Sequence, residues 1–490
     1  MNSTLNCNVL VIGSGPGGSV TALNLVEAGY DVIMVEEGPD ASQADIRPYS
    51  SNEMDVCYRN GGLTPFLGSK NYTYVEASCL GGGSEVNSGF YHAPSEDLLT
   101  YWNATHNLDI SVDSLAPHVK AVHKALNISL SPVGECTSSA LLKRGADELG
   151  WKSAEIPRWI SSDKDEAGNW QSTRSSMSKT YISNAISRGL RCITQFKVER
   201  LILQHDCAVS AIGCVRELNG SKRRVTITFE HVYVCCGAIQ TPILLRRSGI
   251  KYKIGDSLTT HPMVRLVAKF DQSVHEAGVG VPFRQVTEFL PKYTFGCSHS
   301  GKAHVSLWLP PDLPNRDHLL ENEADSLAVY YMLYSSDVKG KIRTIVGSDS
   351  ALVYLRLTEK ENKEITQGIL MLAQLLFAAG CTALYSPALK RGVSLGSEKL
   401  KLEDIDLSSQ YVQLSTIHLF GSCPMGVDGL RHPVDPYGKL YGFANVYLND
   451  ASILPTSTGV NPQGTLMAIA TRNVLEFLNK RGQATLSSCG

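Results

Sequence analysis

Residues 9–38 limit the fold more tightly than any other part of the chain. They read VLVIGSGPGGSVTALNLVEAGYDVIMVEEG: an apolar strand, a glycine-rich turn, an amphipathic helix and a second apolar strand ending in an acid. Gly13, Gly15 and Gly18 have the Gly-x-Gly-x-x-Gly spacing, in which the first glycine makes the tight turn. The second lets backbone approach a pyrophosphate and the third lets helix pack on strand. Phosphates then meet the N-terminus of the helix, whose free N–H groups and dipole favour anions. Glu36 stands eighteen residues after Gly18, at the end of the second strand, where it can accept hydrogen bonds from a ribose diol. The ordered set of strand, turn, helix, strand and acid predicts a Rossmann-like dinucleotide site within an α/β fold.

A chain of 490 residues is too long for one hydrophobic core, so at least two domains are expected. The formal charge of −2 leaves no footprint for nucleic acid or an acidic membrane, which points to a small-molecule partner. The thirteen cysteines are scattered without any Cys-x-x-Cys pair and several sit inside apolar runs, as Cys235 and Cys236 do in VYVCCGA. They read as buried thiols of a reducing compartment. MNSTLNC leads straight into the first strand with no leader-like pattern, and the most apolar stretch, Ile365 to Tyr385, carries Gln367, Gln374 and Gly380. That stretch suits a buried amphipathic helix rather than a transmembrane segment, so the protein is expected in the cytoplasm.

Pro39 to Ala77 reads as irregular chain, followed by a second glycine cluster, Gly81 to Asn87, where backbone again can approach a ligand. Residues 96–189 look helical and polar. Alternation returns in RCITQFKVERLIL, CAVSAIGCVREL and RRVTITFEHVYVCC, with a turn signal at Leu218-Asn219-Gly220 between the last two. HVSLWLP, SLAVYYMLYSS and SALVYLRLTE also read as strands, ahead of helices near 362–379 and 465–479. The expected arrangement is a discontinuous nucleotide domain from 1–95, 190–265 and 410–490. A second, mostly antiparallel-sheet substrate domain is expected from 96–189 and 266–409, so the whole is α+β.

Four segments together resemble the glucose-methanol-choline family of flavin oxidoreductases. They are VIGSGPGGSVTALNLVEAG, CLGGGSEVNSGF, CGAIQTPILLRRSGI with GDSLTTHP, and the C-terminal block from His418 to Asn473. The resemblance implies FAD rather than NAD, a choice the glycine fingerprint cannot make. It implies that Gly13, Gly15, Gly18 and Glu36 hold the ADP half and that backbone at Val198 lies near the adenine. Gly82, Gly83, Ser84 and Asn87 then run along pyrophosphate and flavin, with Asp450 and Ala451 near the ribityl chain and ring. Some members attach FAD covalently through a histidine just before the asparagine of the second glycine cluster. Here that residue is Val86, so the FAD is expected to be non-covalent.

In the family, the positions of His418 and Asn461, 43 residues apart, face the reactive edge of the flavin. This implies oxidation of an alcohol to an aldehyde or ketone, with His418 as base and Asn461 as the substrate's hydrogen-bond partner. Histidine titrates near neutrality, as proton removal from an alcohol requires. With about 15.7 as a stand-in for the alcohol and about 6.5 for histidine, discrete proton transfer costs about 12 kcal/mol. The proton must therefore leave in concert with hydride, or preorganised donors such as the Asn461 amide must hold the developing alkoxide. His261, before Pro262, matches a family position near the domain junction and receives no catalytic task. His92 departs from the family's usual arginine and glycine, while His299 and His304 read as core or surface, and no His, Cys or carboxylate cluster has metal-ligand spacing.

The ending ILPTSTGVNPQGTLMAIA leans toward members acting on long-chain alcohols, sterols or glycoside-like molecules, and the short chain suggests a pocket open to a bulky or sugar-like primary alcohol. Oxygen or another carrier would take the electrons. The alternatives are a hydroxynitrile lyase of the same family, which keeps FAD without net redox, a nicotinamide-dependent dehydrogenase, and a flavin-bearing scaffold without catalysis.

Overall fold

The computed structural model describes residues 3–487 apart from 43–45, 47, 132–135, 165, 167–169, 218–219, 275–280, 346, 348–350, 391, 396–399 and 409–413. Strand β1 (Ser3–Ile12) runs parallel to β2 (Val32–Val35) on one side and to Lys222–Val234 on the other. Val9, Leu10 and Val11 are fully buried, because a parallel strand covered on both faces needs an unbroken apolar run rather than an alternating one. Between β1 and β2 the chain crosses over as helix α1 (Pro16–Glu27), with Gly15 at its N-cap. Pro16 suits the first turn, since the N–H that it lacks would be unpaired there. Arg191–Ile193 extends the sheet beyond β2, while Phe196–Gln204 and Cys207–Arg216 extend it antiparallel beyond Lys222–Val234. Val446–Leu448 pairs parallel with the end of Lys222–Val234. The sheet thus gathers strands from three distant stretches of sequence.

The second sheet has ten strands, mostly antiparallel, running from Tyr58–Pro65 and Tyr72–Ala77 through Leu414–Thr416, Met263–Lys269 and Leu327–Tyr334. The helix Glu359–Ala378 covers one face. Its Ile365, Ile369, Leu372 and Leu376, at three- to four-residue spacing, pack with Leu266, Tyr330 and Met332. All four are fully buried, each contributing about 1.5–3 kcal/mol as an upper bound. Thr358 caps this helix by accepting from the Glu361 N–H at 3.2 Å. No helix among the described residues is long and apolar enough to cross a membrane.

Several local expectations change. HVSLWLP is not a strand but most of the helix Lys302–Trp308: Val305 and Leu309 are buried while Leu307 is 51% exposed, a helical rather than alternating pattern. The helical reading of 96–189 holds through Glu148 and again over Ser178–Ile182 and Ser183–Ile186, while Ser153–Glu155, Ile160–Lys164 and Trp170–Arg174 between them are strands. Pro39–Ala77 contains the helix Ser51–Cys57 and two strands of the second sheet. The packing also cuts across the boundaries drawn from sequence. Leu99, Trp102 and Leu115 join Ile33, Val35 and Phe196 in one core, and Val122 and Leu126 join Val9 and Val20 in another, so the helices at 96–126 rest on the first sheet. Leu218 and Asn219 of the turn signal lie outside the described residues, though the strands that flank them do pair antiparallel.

Candidate active site

One continuous cavity runs from the first glycine turn to the C-terminal histidine. Gly13, Gly15, Glu36, Gly82, Gly83, Asn87, Val198, Asp450, Ala451, His418 and Asn461 all line it. A Cβ built on Gly13 would lie 2.3 Å from the Cys235 carbonyl oxygen, and the residue's φ of +98° already favours glycine. A Cβ on Gly15 meets nothing within 4 Å, so its bare face opens onto free space at the N-terminus of α1. A Cβ on Gly82 would lie 2.8 Å from the Gly15 Cα, so the two glycine segments form facing walls. Gly18 and Ser84 stand behind those walls. Gly18 lets α1 pack, since a Cβ there would lie 2.0 Å from the Gly13 carbonyl oxygen. Ser84 is fully buried, donating to the Gly81 carbonyl at 2.8 Å and accepting from the Met177 N–H at 3.0 Å.

Glu36 closes the end of β2 beside this cradle. Its Oε2 accepts from the Ser14 N–H at 3.0 Å and hydroxyl at 2.7 Å, and its Oε1 from the Gly38 N–H at 2.9 Å. Ser14 Oγ in turn accepts from the Gly81 N–H at 3.0 Å, tying acid, first turn and second cluster together. Burial raises the Glu36 carboxyl above its usual range. Each of its oxygens retains acceptor capacity for a diol. Sequence reasoning passed over the neighbours: Glu37 also lines the cavity, paired with Arg59 at 3.0 Å and Lys197 at 3.6 Å. Burial works to raise the Glu37 carboxyl, but the two cations hold it below the usual range. The acid repeat in VEEG was the available signal.

Asp450 joins the C-terminal segment to the strand-to-helix turn at Gly237. Its Oδ2 accepts from the Gly237 N–H at 2.8 Å and the Thr241 hydroxyl at 2.5 Å, and its Oδ1 from the Ser452 N–H at 2.8 Å. An open backbone face at a helix N-terminus, a buried acid beside it and the buried, unpartnered Trp159 indole N–H on the same wall all fit a large dinucleotide. At the glycine turn the N–H groups and dipole of α1 would carry the phosphates.

At the far end, pairing register brings two histidines together. Thr259–Thr260 pairs antiparallel with Leu419–Phe420, Thr260 opposite Leu419, which sets His261 opposite His418. Their Nδ1 atoms are 3.1 Å apart, and His261 is fully buried. His261 therefore touches the central imidazole rather than merely marking a junction. Asn461 Nδ2 lies 3.4 Å from His418 Nε2, and Asn461 Oδ1 accepts from Gln285 Nε2 at 3.1 Å. Gln285 also bonds Tyr331 Oη at 2.6 Å and His92 Nε2 at 3.0 Å. Burial, with help from His92, drives His418 down to about 3, and burial alone takes His92 down to about 4, so both rings are neutral near pH 7. Gln285 and Tyr331 come from the second sheet and carry no motif. His299 and His304 instead stack around Tyr49, with His299 4.6 Å from its ring, and do not line the cavity.

A dinucleotide cradle ending at a buried histidine and carboxamide is the layout of a flavin-dependent oxidoreductase. Models of the GMC oxidoreductase N- and C-terminal regions match residues 54–263 and 349–470, and an FAD-binding domain model matches 6–52. The chain is 32% identical over 478 residues to an uncharacterized GMC-type oxidoreductase of Sinorhizobium fredii, covering 96% of this chain and 94% of that one. A long-chain-alcohol oxidase of Arabidopsis thaliana is 23% identical, over 97% of this chain and 68% of its own length. The crystal structure of pyridoxine 4-oxidase from Mesorbium loti shares the fold, with a TM-score of 0.75 at 16% identity over 97% of this chain and 99% of that one. The chain belongs to the GMC oxidoreductase family and is an FAD-dependent oxidoreductase.

Proposed function

We propose that the protein oxidises a primary alcohol of a bulky or sugar-like molecule to the aldehyde, with His418 as base and Asn461 as the substrate's hydrogen-bond partner. The convergence of these two side chains at 3.4 Å at one end of the cavity carries the reading. The Arabidopsis relative's acceptance of long-chain alcohols supports a bulky substrate, and the Gln285, Asn461 and Tyr331 array supports a hydroxylated one. FAD, when bound, supplies a two-electron acceptor for the hydride. Gly13 and Gly15 at the turn, with Gly82 and Gly83 opposite, would hold it, with Glu36 placed to take its ribose and Asp450 and Ala451 placed toward the reacting end. Oxygen or another carrier takes the electrons onward.

His418 meets the alcohol with its ring uncharged. Its pKa of about 3 widens the gap to an alcohol to about 13 units, or about 17 kcal/mol for a discrete transfer. A separate alkoxide is therefore too costly, so the hydroxyl proton moves to His418 as the hydride departs. Asn461 and its second-sheet partner Gln285 hold the oxygen in place, a fixed geometry being the other large contribution. The twelve described cysteines are all free thiols, which supports residence in the cytoplasm.

Anaerobic mixing with a panel of alcohols and sugars tests the reading. A substrate bleaches the flavin, and His418→Ala slows bleaching by about 10²-fold or more. A His418→Ala protein that bleaches as fast as the parent refutes the assignment.

A further inference from the structure

The hydrogen-bond chain around His418 begins at a donor that cannot turn. The Gly459 N–H donates to His261 Nε2 at 3.2 Å. Gly459 has φ +72°, a Cβ there would lie 2.6 Å from Pro291, and its carbonyl accepts from Thr294 Oγ1 at 3.2 Å. A backbone N–H can only donate, so His261 Nε2 is an acceptor and its single proton sits on Nδ1. His261 Nδ1 faces His418 Nδ1 at 3.1 Å, and only one of these two atoms can carry hydrogen.

We propose that His261 is a positioning residue that sets the tautomer of His418, so that the neutral His418 of the resting protein carries its proton on Nε2 and leaves Nδ1 bare. The bearing of this on turnover rests on the assignment of His418 as base. Proton acceptance at Nε2 then requires the pair to reverse its polarity, His418 moving its own proton from Nε2 to Nδ1 while His261 moves its proton from Nδ1 to Nε2 and gives up the Gly459 contact. The structure holds both halves of that conflict. As placed, Asn461 Nδ2 points at His418 Nε2, which in this tautomer sets donor against donor, and the 3.4 Å separation is longer than an ordinary N–H hydrogen bond. Turning the Asn461 and Gln285 carboxamides by half a turn removes the conflict. Asn461 Oδ1 then accepts from His418, Gln285 Oε1 accepts from Asn461 and Tyr331, and the Gln285 amide donates to His92. The amides can turn, whereas Gly459 cannot.

The same geometry opposes charging of His418, because an imidazolium would aim its Nδ1–H at the Nδ1–H of His261. Besides His261, the titratable group that acts on His418 is His92, also a neutral imidazole. In His261→Asn a carboxamide oxygen can turn to accept that proton, and a hydrogen bond to the charged form favours it.

Nitrogen-15 NMR of histidine-labelled holoprotein tests the proposal, with resonances assigned by loss of the His418 signals in His418→Ala. The wild-type spectrum is expected to show His418 protonated at Nε2 and bare at Nδ1. In His261→Asn the proton is expected to shift to Nδ1, and the acid limb of flavin bleaching by substrate to move up by about one pH unit, a tenfold change in proton affinity. A wild-type His418 protonated at Nδ1 overturns the proposal even if His261→Asn does not fold, as does an unmoved acid limb in a folded His261→Asn. If His418→Ala still bleaches normally, the assignment of His418 as base fails while the tautomer result stands. If bleaching is lost there but wild-type His418 is Nδ1-protonated, the tautomer proposal alone fails.

Discussion

Gly15→Ala separates what the glycine turn does for the fold from what it does for the cofactor. A Cβ at Gly15 meets no protein atom within 4 Å, and the backbone there, at φ −62° and ψ −178°, is open to any L-residue. Alanine is a poorer N-cap than glycine by about 0.5–1 kcal/mol, and it lowers the entropy of the unfolded chain by about 0.4–1 kcal/mol. These nearly cancel, so the FAD-free protein should change by less than about 1 kcal/mol. The bound state differs, because the methyl group occupies the face where backbone meets the pyrophosphate. Losing two charge-assisted hydrogen bonds of about 1.5–3 kcal/mol each weakens FAD by about 10²- to 10⁴-fold. Urea midpoints of apoprotein and FAD titration by fluorescence quenching measure the two quantities separately. Gly17→Ala is the contrast, since its Cβ would lie 1.8 Å from the Asn449 carbonyl oxygen and should prevent folding. Unchanged FAD affinity in Gly15→Ala would refute the placement of phosphates on this turn. An apoprotein loss above about 2 kcal/mol would show that Gly15 serves packing instead.

Asp450→Ala strands the Gly237 N–H, the Thr241 hydroxyl and the Ser452 N–H, and is expected to cost about 3 kcal/mol or more, read from the denaturation midpoint. His92 and His304, held down to about 4 chiefly by burial, bind protons less readily folded than unfolded. Stability is therefore full above pH 6.5 and falls as pH drops toward 4, by at most about 1.4 kcal/mol per unit for each ring. His304→Gln should flatten the slope between pH 6.5 and 5, and an unaltered slope would exclude that ring as a contributor. With Val86 where a linking histidine would stand, acid precipitation is expected to leave a yellow supernatant and a colourless pellet.

The sequence revealed what local chemistry determines and concealed what pairing register determines. The turn at Gly13–Gly18 was legible because its glycine spacing is contained in one strand-turn-helix unit, although Gly13 makes room for Cys235 of a distant strand end. The same holds for His418 and Asn461, whose flanks carry a family pattern. The helix Lys302–Trp308 was misread because so short a segment, with apolar side chains at 305, 307 and 308 and at the following Leu309, satisfies either period. The strand at Tyr58–Pro65 was hidden by turn-forming residues such as Asn60, Gly61, Gly62 and Pro65, whereas YTYVEA at Tyr72–Ala77 carried a strand composition that was passed over.

The distribution of the site across the chain explains why its inner shell stayed out of view. His261 acts on His418 only because Thr259–Thr260 and Leu419–Phe420 pair in one register, and a slip by one residue would turn the imidazole to the opposite face. Gln285 and Tyr331 reach Asn461 from the second sheet, so the orientation of a residue near the C-terminus is fixed by strands more than 100 residues earlier in the chain. Such residues need no special type at any one position, only a polar group at the right height on a strand. A single sequence exposes a candidate side chain through its motif, whereas the side chains packed around it become visible only once the sheets are paired.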